Sequence, residues 1–463
     1  MAGVAPEAHA LAAIYVWAVA WWVTGALPLA ATALLSSGLA VVLGVAPATT
    51  VFAAYADPII FLFIGSFMLA AAMRESGLDA RFAFALLRHG GATRTPRRLL
   101  ATVGVITCAL SLWLSNTATT ALMLPVGVGL LQSLGPAGDA ARSRFPTGLM
   151  LMLTWASSVA VGIPVGSPPN LIAIGMVRDL AGRRLSFFDW VAVAMPLTVV
   201  MLAACFAILA WRYGAATERP EDVRRWVDAE RARLGPWRRA EVNVLGVFGL
   251  VGTLWMLPGA VAMVAGPDAA LPRFFDAHLP EPVVALLGAV LLFLLPTDWR
   301  RGEFTLTWRQ AARIDWGTVL LFGGGLALGR LMFDTGLAYA VGTALVRVSG
   351  AEGLWPLTAV AIVTGIALSE ASSNTASASV VVPVMIAVAQ GLGVSPVPPA
   401  LGAALGASFG FMLPVSTPPN AIVFGSGLVP LREMVRAGLL LDLAGAGLIW
   451  LGLRVLCPLV GLL

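Results

Sequence analysis

Long apolar runs separated by short segments that hold most of the arginines set the pattern of this chain. A helix that crosses a bilayer needs roughly 17 to 25 apolar residues, and on that measure the first predicted spans fall at about 11–26, 28–46 and 58–75. The segment that follows carries Arg74, Arg81, Arg88, Arg94, Arg97 and Arg98 against Glu75 and Asp79. Such an excess of arginine marks a cytoplasmic side. Within it, Leu78 to Leu87 is amphipathic and is predicted to lie along the interface.

Residues 99–134 are apolar on both sides of a polar triplet, Ser115-Asn116-Thr117, and are followed by another arginine-bearing stretch, Gly135 to Arg144. A single crossing would carry those arginines outside, so the pattern predicts a re-entrant hairpin of two half-length helices with the triplet at its tip. Irregular backbone at membrane depth persists only where protein or a wet cavity satisfies its polar groups. The next run, 147–176, is interrupted by Gly162-Ile-Pro-Val-Gly166-Ser-Pro-Pro-Asn170, which no continuous helix tolerates. It reads as a broken helix. A span at about 188–212 leads into the charged segment 214–242, predicted to be a cytoplasmic linker helix with Glu221 and Arg225 at i, i+4 spacing.

The order then repeats. Spans at about 243–264, 282–296 and 316–333 precede a second hairpin (about 357–392) around Ser373-Asn374-Thr375, a second broken helix (about 400–428) containing Pro414-Val-Ser416-Thr-Pro-Pro-Asn420, and a last span at about 438–456. Asp57 and Asp315, Gln132 and Gln390, Gly135 and Gly393 and the two triplets all share an offset of 258 residues, whereas the Pro-Pro-Asn motifs share one of 250. Residues 1–213 and 243–463 therefore read as two repeats. An odd number of crossings separates the hairpins, so the repeats are inverted, with both chain ends on the outer side. Arg178, Arg183 and Arg184 fall on the predicted outer side, against the charge rule.

Composition agrees with an all-α polytopic membrane protein of the bacterial inner-membrane kind: 59% of the 463 residues are hydrophobic, 11% are charged, and mean hydropathy is +0.88. The net charge of +5 is carried by arginine alone, without the aromatic-interleaved basic patch that nucleic acid requires. Cys108, Cys205 and Cys457 lie in apolar segments without metal or disulfide spacing and read as packing residues. His9, His89 and His278 fall in predicted connecting segments, too far apart in sequence for a shared site.

Inverted repeats with helices broken near the midplane are the architecture of secondary transporters, where helix N-termini meet anionic groups and freed carbonyls meet a cation. The motifs carry the needed parts: Asn supplies a donor and an acceptor, Ser and Thr supply hydroxyls, and Pro-Pro leaves preceding carbonyls without helical partners. Taken singly, such a triplet is more often an interhelical hydrogen bond than a ligand site. Its duplication in inverted halves favours the site. Glu370 is an ionisable group at membrane depth and a functional candidate, though a support role fits equally, since the first repeat has Leu112 at that place. Asp442 reads as an interhelical bond. No HExxH or GxSxG motif supports an enzyme.

Trp113-Leu-Ser-Asn-Thr-Ala-Thr-Thr-Ala-Leu-Met-Leu-Pro125, Gly166-Ser-Pro-Pro-Asn170, Ser369-Glu-Ala-Ser-Ser-Asn-Thr-Ala376, Ser416-Thr-Pro-Pro-Asn420 and Asp57-Pro-Ile-Ile-Phe-Leu-Phe together resemble the divalent anion:sodium symporter family over nearly the whole chain. The resemblance implies a homodimer that moves its substrate by an elevator mechanism. It implies one sodium at Ser111, Ser115, Asn116 and Gly166 and a second at Ser369, Ser372, Asn374 and Ser416. Substrate carboxylates would meet Ser115, Asn116, Thr117, Ser373, Asn374 and Thr375, with Ser167, Thr417 and Pro418 nearby. The family's Thr-Glu-Ala-Leu/Ile-Pro is Thr24-Gly25-Ala-Leu-Pro28 here, without the acidic group. The expected activity is sodium-coupled import of C4-dicarboxylates such as succinate, malate or fumarate. The alternatives are a sodium-independent dicarboxylate exchanger, or a symporter preferring sulfate or a tricarboxylate.

Overall fold

A computed structural model describes residues 6–88, 95–134, 144–214, 220–266 and 269–463. The expected features at His89, Arg94 and Gly135 lie outside the described residues. Seven helices among the described residues are long and apolar enough to cross a membrane. The only sheet among them is a two-stranded ribbon, Pro296–Asp298 with Glu303–Phe304. The chain is thus an almost wholly helical multi-pass membrane protein built of two repeats.

The first repeat runs Pro6–Thr24, Leu29–Val42, the short helices Ala48–Ala53 and Ala54–Ala56, then Pro58–Ser76. The last of these starts at Asp57, whose carboxylate accepts the Ile59 N–H at 3.0 Å, with Pro58 in the first turn, and stops at Gly77 in the left-handed conformation. The amphipathic helix Leu78–Arg88 follows as expected. Its counterpart in the second repeat, Leu337–Ser349 after Trp316–Asp334, escaped the sequence reading, as did Ala270–His278. His9 sits on an exposed face of Pro6–Thr24 rather than in a connecting segment, while Cys108, Cys205 and Cys457 are buried in the packing.

The hairpins are Pro96–Ser111 with Asn116–Ser133 and Leu354–Ala371 with Asn374–Gly391. Their arms are longer than half-length: at 1.5 Å per residue, helices of 16 to 18 residues extend about 24–27 Å. The broken helices are Phe145–Ser158 with Pro168–Ala181 and Val397–Ala407 with Pro418–Gly425. Their halves are interleaved. Each hairpin packs on the first half of its own repeat's broken helix, while its second arm packs on the second half of the other's. The core therefore belongs to both repeats at once.

Linker helix Pro220–Arg233 is docked, with Val223 and Val227 buried and Trp226 against Phe84. The expected Glu221–Arg225 pair is replaced by Asp222 with Arg225, one residue closer along the helix. Arg81 fastens the linker's exit, donating to Glu241 at 2.9 Å and to the carbonyls of Leu234, Gly235 and Pro236.

The three arginines that broke the charge rule are all engaged. Arg178 donates to both carboxylate oxygens of Asp57, at 2.6 and 2.7 Å, and to Asp179 at 2.8 Å. Arg330 joins the same cluster through Asp57 at 2.9 Å and through Asp179. Arg184 pairs with Asp276 and Glu281, and Arg183 donates to the Gly461 carbonyl. Arg178 and Arg184 bring their acids with them, so the predicted outer side carries less excess positive charge than a count of arginines suggests. The Arg178 cluster also ties the end of the first broken helix to two spans, Pro58–Ser76 and Trp316–Asp334.

Candidate functional site

Both triplets sit where a helix begins. Ser115 caps Asn116–Ser133 by accepting the Ala118 N–H at 3.3 Å, and Ser373 caps Asn374–Gly391 by accepting that of Ala376 at 3.2 Å. Five residues separate each Asn from a serine in the preceding arm, and both pairs close in the same way: Ser111 donates to Asn116 Oδ1 at 2.9 Å, and Ser369 to Asn374 Oδ1 at 2.8 Å. The second pair has further partners. Ser369 Oγ also lies 2.8 Å from the Ala407 carbonyl, and Asn374 Nδ2 donates to the Ser408 carbonyl at 3.3 Å. Those contacts tie hairpin two to the break in its own repeat.

The first hairpin meets its break through Gly166. A methyl group built there would stand 2.9 Å from the Ala160 carbonyl oxygen and 3.0 Å from that of Leu112, so only a residue without a Cβ admits this approach. Ser111 and Asn116 are thus bonded to each other, and Gly166 lies against the backbone of Leu112, the residue after Ser111. Ser416, the residue matching Gly166, donates to the carbonyls of Gly410 and Leu413 at 2.9 and 2.8 Å. Ser369 and Gly410 are close enough that a methyl on Gly410 would meet Ser369 Oγ at 3.2 Å. Ser372 differs from its expected partners: its hydroxyl donates to the Trp22 carbonyl at 3.3 Å, on the first helix.

The two Pro-Pro-Asn motifs do something the sequence reading missed. Proline leaves the preceding carbonyls without helical partners, yet several of them are not free. Asn170 Nδ2 donates to the carbonyls of Val161 and Ile163 at 3.2 and 3.0 Å, and Asn420 Nδ2 to those of Gly410 and Leu413 at 2.8 and 3.0 Å. Each asparagine thus staples its own break, and both are fully buried. The recurrence of Asn at the 250-residue offset was the available signal.

Glu370 gains the partner that the sequence could not supply. Its carboxylate accepts the N–H groups of Met412 and Leu413, at 2.8 and 3.2 Å, within the second break. Asp442 makes the expected interhelical bond: its buried carboxyl, on Leu431–Leu459, pairs through a side-chain hydrogen bond with that of Glu370 on Leu354–Ala371, one proton shared between them.

The substrate-facing candidates divide unevenly. Ser115 and Thr117 are exposed and Asn116 is half-buried, whereas Ser373, Asn374 and Thr375 are all half-buried. Ser167 and Thr417 are buried at the starts of the second halves of the broken helices, 3.5 Å separating the hydroxyls of Ser167 and Ser408, while Pro418 is exposed. Four helix N-termini, at Asn116, Pro168, Asn374 and Pro418, carry the motifs. Helix N-termini present unpaired N–H groups and the positive end of a dipole, an arrangement suited to an anion. Around them stand neutral oxygen donors, an arrangement suited to a hard monovalent cation.

Known proteins resemble this chain in sequence and in fold. The family model described as "Sodium:sulfate symporter transmembrane region" matches residues 1–461. The sodium-dependent dicarboxylate transporter SdcS of Staphylococcus saprophyticus is 32% identical over 462 residues, covering 96% of this chain and 85% of that protein. SdcS of Staphylococcus aureus is 30% identical, with 97% and 86% covered. Among solved structures, the Alcanivorax borkumensis YdaH transporter, reported to have an unusual topology, aligns with a TM-score of 0.57 at 15% identity, covering 89% of this chain and 87% of that one. A match along nearly the full length, over a fold of paired hairpins and broken helices, makes this chain a transporter of the divalent anion:sodium symporter family.

Proposed function

We propose that the protein imports a C4-dicarboxylate, of the succinate, malate or fumarate type, together with sodium, and that the dianion is held between the two triplets. The observation that carries this reading is the twinned Ser111–Asn116 and Ser369–Asn374 pair, each at a helix N-terminus and each beside a helix break. One such unit offers donors for one carboxylate and oxygens for one cation. Two units suit a molecule with two carboxylates. The staphylococcal relatives, which are sodium-dependent dicarboxylate transporters, support both the sodium and the dicarboxylate.

In this reading one sodium binds at Ser111, Ser115, Asn116 and Gly166, and the other at Ser369, Ser372, Asn374 and Ser416, with Ser372 contributing its carbonyl because its hydroxyl is engaged. Substrate carboxylates meet Ser115, Asn116 and Thr117 on one side and Ser373, Asn374 and Thr375 on the other. Ser167, Thr417 and Pro418 border them. A dianion entering against a negative-inside potential is opposed by roughly 2.3 kcal/mol per charge per 100 mV, and co-transported sodium offsets that.

Alternating access follows an elevator course, the hairpins and broken helices moving past the remaining spans. The tip of hairpin two rests against Trp22, near the end of a helix whose C-terminus the charge pattern assigns to the cytoplasmic side, while the hairpin-one tip is exposed. Both features suit the lowered, inward-open position. The outer face of Arg239–Ala265, with Val242, Leu250 and Val264 exposed, is available to lipid and to a second copy in a homodimer.

The test is uptake by purified protein in liposomes. Succinate accumulation driven by an inward sodium gradient is expected. Rapid succinate counterflow at zero sodium would replace symport with exchange, and sulfate or citrate outcompeting succinate would change the cargo.

A further inference from the structure

The staples at the two helix breaks are not equivalent. Both amide hydrogens of Asn420 point at break oxygens, because two of its neighbours are carbonyls that only an N–H can serve. Its Oδ1 is therefore the acceptor, and Thr154 of the first repeat donates to it at 2.6 Å. Asn170 is fixed in the same orientation by the carbonyls of Val161 and Ile163. Its Oδ1 is buried and receives no hydrogen bond among the described residues.

Pseudo-symmetry explains the difference. The second half of each broken helix packs on the first half of the other: Pro418–Gly425 on Phe145–Ser158, and Pro168–Ala181 on Val397–Ala407. At the 250-residue offset, Pro146 matches Pro396 and Ser158 matches Ser408, so the position matching Thr154 is Ala404. The residue that would complete the first staple has no hydroxyl.

Resting on the reading that the breaks border the sodium sites, we propose that Thr154 is a positioning residue for the second-repeat cation cradle. It acts through Asn420, which fixes the carbonyls of Gly410 and Leu413 and also donates to Ser416 Oγ at 3.0 Å. The second cradle is preformed. The first, without a matching lock, completes itself only as its cation binds, so the two sodium sites differ in affinity although their hairpin pairs match.

Sodium dependence of succinate uptake in liposomes tests this, with each variant checked for monodispersity and thermal unfolding. Thr154→Val keeps the shape and removes the donor, and is expected to raise the half-saturating sodium concentration roughly three- to tenfold, the worth of one buried hydrogen bond. The KM for succinate at saturating sodium stays near that of the wild type. Thr154→Ser keeps the donor and restores the wild-type sodium curve. Ala404→Ser, which supplies the missing hydroxyl, lowers the half-saturating concentration and gives an independent readout should the Val variant not fold. An unchanged sodium curve in Thr154→Val, or a Ser variant as impaired as the Val variant, overturns the proposal. For Ala404→Ser, an unchanged or right-shifted curve does the same. Uptake by the wild type that ignores sodium would instead overturn the symport reading itself.

Discussion

Replacing Gly166 by alanine tests the close approach between hairpin one and its break. The new methyl would lie 2.9 Å from the Ala160 oxygen and 3.0 Å from that of Leu112, with the Leu112 Cα at 3.4 Å. Ordinary carbon–oxygen contacts lie at about 3.3–3.6 Å, so each carbonyl must retreat by roughly 0.3–0.7 Å. These are backbone atoms and cannot swing aside. Overpacking of this kind costs about 1–3 kcal/mol. Expressed in sodium binding, that is roughly a 5- to 150-fold loss of affinity. Two neighbouring glycines serve as controls. A methyl on Gly162 meets the Met195 sulfur at 2.8 Å, the far end of a flexible side chain, and one on Gly410 meets Ser369 Oγ at 3.2 Å. The expected order of sodium half-saturation in liposome uptake is Gly166→Ala far above Gly410→Ala, with Gly162→Ala close to the wild type. A Gly166→Ala protein with wild-type sodium dependence would refute the assignment of this junction to cation binding.

Other perturbations address other parts of the molecule. Asn116→Ala and Asn374→Ala should each reduce sodium-driven succinate uptake by at least roughly tenfold, since each removes a donor and an acceptor from a charged site; wild-type rates in both would remove the triplets from the site. Arg178→Met leaves the buried Asp57 with Arg330 and removes the direct tie between the first broken helix and Pro58–Ser76, so that only the bridge through Asp179 and Arg330 remains, a loss of about 1.5 kcal/mol, the low end because the Arg178 side chain is 30% exposed. Thiol labelling of Thr117→Cys, in a protein whose own cysteines are buried, should slow several-fold when Arg178→Met is added; unchanged labelling would show that the cluster does not hold this state. Asp79, on the interfacial helix, is buried, and desolvation raises its carboxyl to about 6 from the usual 3.8. Its contribution to stability is therefore fully present below pH 3.8 and is lost as pH rises through about 6. Asp79→Asn should raise the Tm relative to the wild type at pH 7.5 by an amount that shrinks toward pH 5, as followed by thermal unfolding in detergent; a gap independent of pH would contradict this.

What the sequence made legible was whatever repeats or breaks a pattern. Ser115-Asn116-Thr117 and its twin stood out because polar triplets inside apolar runs are costly, and the breaks stood out because Pro-Pro cannot continue a helix. Hairpins and broken helices were located to within a few residues on those grounds. Leu337–Ser349 was missed because it has neither the length of a span nor the surrounding arginines that made Leu78–Arg88 stand out. The partners of Glu370 are backbone N–H groups about 42 residues away, which have no sequence signature. Arg178 looked like a topological error because counting arginines ignores the acids beside them; Asp57 lies 121 residues away and Asp179 next door. Thr154 was invisible for a related reason, since its role depends on a contact across 266 residues.

The interleaving of the two repeats also bears on biogenesis. Thr147 and Thr154 bond to groups 281 and 266 residues further along, Leu428 and Asn420. When the first repeat has entered the bilayer, the surface against which its broken helix will pack has not yet been synthesised. At about 5–20 residues per second, the wait is on the order of 10–50 s. During that interval Thr154 and Ser167, whose partners Asn420 and Ser408 belong to the second repeat, stand beside a half-built neighbour. The first half must therefore be sheltered, by the insertion machinery or by water held in its own break, until the second half arrives to complete it.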